Sequence, residues 1–169
     1  MIKKANAFTI VELLIVIVVI AILAAISVVA YRGIQDRAYD STVQSDLSTM
    51  AKKIRAFQAL NDRMPQGSTD LTNADIPVTR SAYSRGSATG GSWYNVLYCW
   101  ANSTNPSVFA LVAQSKSGNV FHYTGGTVSK ASYTFSGGSV DLCASAGINI
   151  SASGRDFFYS ADAWQSFAK

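Results

Sequence analysis

Few residues of this chain belong to the types that carry catalysis or bind metals. The sequence contains one histidine, His122, one glutamate, Glu12, and two cysteines, Cys99 and Cys143. It has no CxxC pair and no P-loop, and the GxGxxG and GxSxG motifs are also missing. His122 lies in NVFHYT, a stretch that alternates like a strand, so a sheet residue is favoured over a member of a catalytic triad. We therefore expect a protein that is not an enzyme and that needs no metal or other cofactor.

Glu12 lies within a long apolar segment. From Phe8 to Tyr31 there are 24 residues, of which only Thr9, Glu12 and Ser27 are polar. As a helix this segment is about 36 Å long, which is enough to cross a hydrocarbon core of about 30 Å. A carboxylate in hydrocarbon costs roughly 2.5–3.5 kcal/mol, so Glu12 is a candidate functional residue. The alternative is a carboxylate that reaches the membrane interface.

The charges around this segment indicate its orientation. Lys3 and Lys4 precede it, so the positive-inside rule places the N-terminus in the cytoplasm and the remaining chain outside. Only 14% of all residues are charged, against roughly 25% in ordinary domains, and the deficit lies in this segment, which excludes a uniform soluble globule. A cleaved secretory signal that ends at the small residues Ala24, Ala25 and Ser27 is the alternative.

The stretch AFTIVELLIVIVVIAILAAI, which starts at Ala7, resembles the class III leader and N-terminal helix of type IV pilins. The shared pattern is a short basic leader, a small residue, Phe, Thr, two apolar residues, Glu and an unbroken hydrophobic run. The resemblance implies that a prepilin peptidase cuts between Ala7 and Phe8 and that the new amino group of Phe8 is methylated. It also implies that Glu12 is the carboxylate used in assembly. The family usually has Gly where this chain has Ala7.

Elementary electrostatics agrees with these implied roles. After cleavage, a positive α-amine at Phe8 lies one helical turn from Glu12, at the positive end of the helix dipole. The amine of a neighbouring subunit could pair with Glu12 in the same way, and this pairing would favour one axial register over others.

The resemblance implies a structural subunit of an extracellular type IV pilus that supports adhesion, motility or DNA uptake. The implied partners are further copies in a helical filament, the prepilin peptidase, the pilus assembly platform and, before assembly, the cytoplasmic membrane, which the precursor spans once. A host surface or DNA is a further candidate partner. The alternatives are a type II secretion pseudopilin, a minor DNA-binding competence pilin and a single-pass surface binding protein that does not assemble.

The expected fold class is α+β, with a long N-terminal helix packed on an antiparallel meander in a pilin-like arrangement. Apolar residues at spacings of three and four continue the helix as an amphipathic half that ends near Leu60: Val43, Leu47, Met50, Ile54 and Phe57. The expected divisions of the chain are a leader (1–7), a transmembrane and assembly helix (8–31), an amphipathic helix half (32–62), a loop between helix and sheet (63–92), and the sheet with the C-terminal region (93–169).

Four short runs rich in aromatic and β-branched residues predict the strands of the meander: Trp93–Ala101, Val108–Ser115, Asn119–Thr124 and Thr127–Tyr133. Both faces of the first run are apolar, so each face needs a cover. For the second face the candidates are the aromatic C-terminal segment with Phe157 and Trp164, neighbouring subunits, or the bases of a single-stranded nucleic acid.

The two cysteines predict a disulfide. Cys99 lies in a predicted strand and Cys143 follows the meander, in a domain that we expect to be exported to an oxidising environment. The alternative is a buried thiol at Cys99 and an unpaired loop residue at Cys143.

Overall fold

The computed structural model describes residues 8–84, 95–101, 108–135, 139–148, 155–157, 159–160, 163–165 and 168. Its elements are α1 (Ile10–Asn61), α2 (Gly67–Asn73), a 3₁₀ turn (Arg80–Ala82), β1 (Val96–Trp100), β2 (Phe109–Gln114), β3 (Val120–Thr124), β4 (Thr127–Lys130), α3 (Ser139–Ser145), β5 (Arg155–Phe157), β6 (Tyr159–Ser160) and β7 (Ala163–Trp164). The chain divides into two compact units, Met1–Asp36 and Arg37–Lys169, the second of which we call the head.

The first unit contains the apolar part of α1. Its large apolar side chains are exposed, from 47% at Val18 to 85% at Ile10. Within the described residues, α1 is the one helix that is long and apolar enough to cross a membrane. Such a surface needs an apolar environment that the chain itself does not supply here.

The part of α1 that belongs to the head packs through the predicted amphipathic face. The five predicted apolar residues and Ala51 are all buried. The helix ends at Asn61, one residue beyond the prediction, and the Asn61 side-chain amide donates to the carbonyl of Phe57 at 2.9 Å. Asp62 follows with a positive φ of 51°, the left-handed conformation that commonly terminates helices.

The sheet has the strand order β4-β3-β2-β1-β5, and all its pairings are antiparallel. The first four strands lie within the predicted runs and form the predicted meander. A turn at Gly125 and Gly126 joins β3 to β4, and both glycines have positive φ, as a two-residue hairpin turn of type I′ requires. These elements confirm the expected α+β class.

One face of the sheet forms the main core with α1. Tyr98 and Trp100 of β1 stack at 4.9 Å between ring centroids, and Phe109 stacks on Tyr123 at 5.3 Å. All four rings are buried among helix residues such as Leu47 and Ile54. The aromatic side chains of β1 are therefore not an open platform for nucleic-acid bases, while Trp93 and Tyr94 lie outside the described residues.

The opposite face of the sheet, which we call the second face, is covered by the described residues between Ala131 and Ile148. Leu97 and Val112 on the sheet pack in a second apolar cluster with Phe135, Leu142 and the end of this segment. The aromatic C-terminal segment was one of the candidates that we expected to cover this face. Its strand β5 instead extends the sheet edge, where Leu97 pairs with Phe157. The edge of β1 needs backbone partners, and an extended segment supplies them.

Residues 63–92, which we expected to be a loop, contain ordered structure in their described part. Arg63 and Asp70 form a hydrogen-bonded ion pair around the start of α2, and Leu71 and Ile76 enter the main core. With seven residues, α2 is too short for helical periodicity to be recognised in its sequence. Its stability comes from contacts with the rest of the head.

Candidate functional site

The candidate assembly residues lie at the start of α1. Ile10 is the first helical residue, so Thr9 occupies the N-cap position and Glu12 the third helical position. Oε2 of Glu12 accepts hydrogen bonds from the backbone N–H of Thr9 at 2.9 Å and from its hydroxyl at 2.7 Å. The backbone N–H of Glu12 donates to Oγ1 of Thr9 at 3.2 Å. This reciprocal arrangement is a capping box.

Thr9 was not among the residues for which the sequence predicted a role. The Thr-x-x-Glu spacing immediately before an apolar run is the signature of a capping box, and this signal was available in the sequence. Phe8 precedes the N-cap and lies outside the helix, and it is Thr9 that contacts the Glu12 carboxylate. Ala7, the other expected processing residue, lies outside the described residues.

The environment of this site is apolar and uncovered. Phe8 is 76% exposed, and the helix that follows presents aliphatic side chains on all sides. Glu12 is the only acidic residue before Asp36 in the sequence. The site therefore combines one carboxylate with a large apolar surface, which suits burial against lipid or against other apolar helices.

The structure contains a disulfide between Cys99 and Cys143, with a Cα–Cα distance of 5.8 Å, as the sequence predicted. Both residues are completely buried, and the bond joins β1 to α3. The disulfide therefore links the sheet covalently to α3, which packs on its second face.

His122 lies in β3, as expected, and is half-buried on the second face of the sheet. Its Nδ1 lies 3.0 Å from the hydroxyl of Tyr133, and the two rings stack. Burial lowers the pKa of His122 and raises the pKa of Tyr133 to about 12. Both groups are thus favoured in their neutral forms, which fits a structural contact.

A second polar contact anchors the segment before β1 to α1. Asp46 of α1 accepts hydrogen bonds from the backbone N–H of Thr79 at 2.7 Å and from the hydroxyl of Tyr83 at 3.0 Å. Burial and the Asp46 carboxylate raise the pKa of Tyr83 well above its ordinary value.

Among the described residues, His, Cys, Asp and Glu form no group of three or more that could hold a metal ion.

Comparison with known families identifies the N-terminal segment. Residues 2–28 match the family described as the prokaryotic N-terminal methylation motif. No significant match was found among curated proteins or among solved structures. The chain thus carries the prepilin-type class III signal that the sequence pattern indicated. This motif supports a type IV pilin-like or pseudopilin protein, and an apolar helix next to it fits a membrane-anchored precursor.

Proposed function

We propose that this chain is the precursor of a pilin, a structural subunit of an extracellular type IV pilus. The observation that carries this proposal is the N-terminal methylation motif at residues 2–28, continued by an apolar helix whose surface the rest of the chain leaves exposed. A subunit of this kind needs no catalytic centre, because its activity is assembly.

The first step of the proposed pathway is membrane insertion and cleavage. Lys3 and Lys4 hold the leader in the cytoplasm, and the apolar part of α1 spans the cytoplasmic membrane with the head outside. A prepilin peptidase then cuts between Ala7 and Phe8 and the new amine of Phe8 is methylated. Removal of the leader places a positive charge at the helix start, next to the only carboxylate of the span.

The second step transfers the helix from lipid into a bundle of identical helices. Exposed side chains such as Ile15 and Leu23 are in contact with lipid in the precursor and with neighbouring helices in the filament. Because lipid tails and leucine side chains are similarly apolar, the transfer itself gives little hydrophobic gain. The pairing of Glu12 with the α-amine at Phe8 of a neighbouring subunit supplies the register.

The head, held together by its two apolar clusters and its disulfide, forms the outer part of the proposed filament. Adhesion, motility and DNA uptake are all compatible uses of such a surface. The motif alone is shared with pseudopilins of type II secretion, so electron microscopy for long surface fibres separates these two filament types.

The mature N-terminus tests the proposal. Edman sequencing or mass spectrometry of material sheared from cells should give Phe-Thr-Ile-Val-Glu, with or without a methyl group on Phe8, and a chain seven residues shorter than the 169-residue precursor. Ala7→Arg should leave uncut precursor in the membrane, because the peptidase site then carries a bulky charge. Asn6→Ala, a change one position further from the bond, serves as the control.

A mature N-terminus near Ser27 would contradict the proposal, since it would establish ordinary secretory cleavage with loss of the whole apolar helix.

A further inference from the structure

The sheet of the head has one covered edge and one open edge. β5 pairs with β1 at one end of the strand order, whereas β4 lies at the other end. Among the strands that the structure describes, β4 has a single neighbour, β3. An edge strand of this kind carries backbone N–H and C=O groups that can pair with a further strand. The open edge at β4 is therefore a candidate interaction surface.

The register of β3 and β4 determines which backbone groups point outward. The N–H of Ala131 donates to the carbonyl of Val120 at 2.8 Å, so these two residues form a hydrogen-bonded pair of the antiparallel ladder. Hydrogen-bonded and non-hydrogen-bonded pairs alternate along such a ladder. Lys130 and Val128 therefore occupy non-hydrogen-bonded positions. The N–H and C=O groups of both residues point away from β3, towards the open edge.

The side chains on the α1 side of this edge include two cations. Val128 pairs with Tyr123 of the main core, so Val128 and Lys130 lie on the sheet face that packs on α1. Arg55 of α1 contacts the same face: its Nε donates to the hydroxyl of Tyr123 at 3.1 Å, and its Cζ lies 5.6 Å from the centre of the Phe109 ring. Lys130 and Arg55 are both exposed. In the described part of the chain neither forms an ion pair, so this edge suits a negatively charged partner.

We propose that β4 is the docking edge for an extended, acidic peptide segment of another protein. The segment adds a strand to the sheet, and its backbone pairs with the outward groups of Val128 and Lys130. The added strand lies about 4.8 Å from β4, and every second side chain is on the α1 side, where carboxylates face Lys130 and Arg55. A second copy of β4 fits this edge less well, because its own lysine adds positive charge to a surface that is already positive. The surface belongs to the head and is separate from the helix that we propose for assembly.

Amide hydrogen exchange of the full-length chain in nonionic micelles tests the pairing. The probe is a short peptide of alternating glutamate and threonine, which as a strand places all its glutamates on one face. Without peptide, the amides of Val128 and Lys130 should exchange rapidly, whereas those of Ser129 and Ala131 are already protected by β3. An excess of peptide should slow exchange at Val128 and Lys130 about tenfold or more. Unchanged exchange at both positions would overturn the proposal.

Val128→Pro tests the backbone contribution. The substitution removes one outward N–H and obstructs a further strand, but it removes no hydrogen bond between β3 and β4, and proline is tolerated at such edge positions. It should weaken binding of labelled peptide about tenfold or more, measured by fluorescence anisotropy. Ser129→Ala, which changes a side chain on the second face, is the control and should bind like wild type. Equal affinity of Val128→Pro and wild type would contradict the pairing, and the exchange measurement on the unmodified chain decides the matter if Val128→Pro does not fold.

The charge of the partner is tested by Lys130→Gln and by a second peptide with lysine in place of glutamate. Lys130→Gln should weaken binding of the acidic peptide about threefold, because a single exposed ion pair contributes little. Lys53→Gln removes an equal charge from the part of α1 where Lys53 pairs with Asp75 at 3.7 Å, and as the control it should leave the affinity unchanged. Equal binding of the lysine peptide would overturn the acidic character of the partner. Self-association of the full chain through β4 without peptide binding would also overturn the proposal, since the occupant would then be a second copy.

Discussion

The start of α1, like that of every helix in an apolar medium, requires hydrogen-bond partners for its first backbone groups. Its first backbone N–H groups have no partner within the helix, and lipid offers none. A carboxylate in the same place lacks donors for the same reason. Thr9 and Glu12 satisfy each other through three hydrogen bonds. The arrangement lowers the cost of keeping an acidic residue at the beginning of a helix that is long and apolar enough to cross a membrane.

Glu12→Val tests the assembly role directly. The variant should be inserted and processed, because the apolar span becomes more hydrophobic. Its filament yield per processed subunit should fall by about tenfold or more, because the buried amine at Phe8 is left without an opposite charge. Quantitative immunoblots of sheared filaments and membranes measure both numbers, and Leu13→Val is the control. A normal yield would leave Glu12 as a tolerated interfacial charge.

His122 predicts a pH dependence of the head. Burial lowers its pKa from an ordinary value of 6.5, so the unfolded chain binds a proton more readily than the folded chain. The contribution of the neutral ring to stability is complete above pH 6.5 and is lost as the pH falls through the lowered folded pKa. The free energy of unfolding should therefore decrease from pH 7 towards pH 5, in urea titrations followed by circular dichroism.

His122→Gln should remove most of this slope, because His122 is the only histidine and other side chains ordinarily titrate outside this range. Ser129→Ala, at the position paired with His122 on β4, is the control and should keep the slope. An equal slope in His122→Gln would show that the pH dependence arises elsewhere.

At the element scale, α3 shows how a short helix is kept in place. Seven residues are too few for a stable isolated helix. Leu142, Ala146 and Ile148 bury apolar surface against the sheet, and Cys143 joins it covalently to Cys99. The disulfide therefore holds α3 on the second face of the sheet, and it also closes the loop of chain between Cys99 and Cys143.

Reduction of the disulfide should destabilise the head. The cysteines are 44 positions apart, and for such a loop the chain-entropy model gives about 4 kcal/mol. Calorimetry should show a melting temperature lower by roughly 10 °C or more after reduction. The double variant Cys99→Ala, Cys143→Ala is the control, since its melting temperature should not respond to the reductant. Two free thiols in folded, non-reduced protein would contradict the assignment.

At the scale of the whole molecule, the two units have opposite requirements. The first exposes aliphatic side chains along α1, whereas the head buries its own apolar residues from Val43 to Ala168. Each unit therefore needs a different solvent. This combination fits a membrane-anchored precursor.

A chain that starts at Arg37 should fold alone. It retains both apolar clusters and the disulfide and lacks the exposed aliphatic surface. When produced in an oxidising compartment, it should be monomeric without detergent and should unfold cooperatively, as measured by analytical ultracentrifugation and circular dichroism. The full-length chain, which should require detergent, is the comparison. Aggregation or non-cooperative melting of the short chain would show that the head depends on the first unit.

Features that depend on local periodicity could be predicted from the sequence. Side chains three and four positions apart share one face of a helix, so the buried face of α1 from Val43 to Phe57 was readable directly. Alternation and turn residues located β1 to β4, and the motif around Phe8 and Glu12 identified the candidate assembly site. The expectation of export, together with the two cysteines, was sufficient to predict the disulfide.

Only the folded structure revealed which distant segments meet. It placed the described residues between Ala131 and Ile148 on the second sheet face, and β5 beside β1. It also joined Asp46 to Thr79 and Tyr83. Several segments of this chain are apolar enough to cover a sheet, and the sequence contains many hydroxyl groups besides those of Thr79 and Tyr83. The choice among them depends on packing and hydrogen bonding between segments far apart in the chain, which local pattern does not encode.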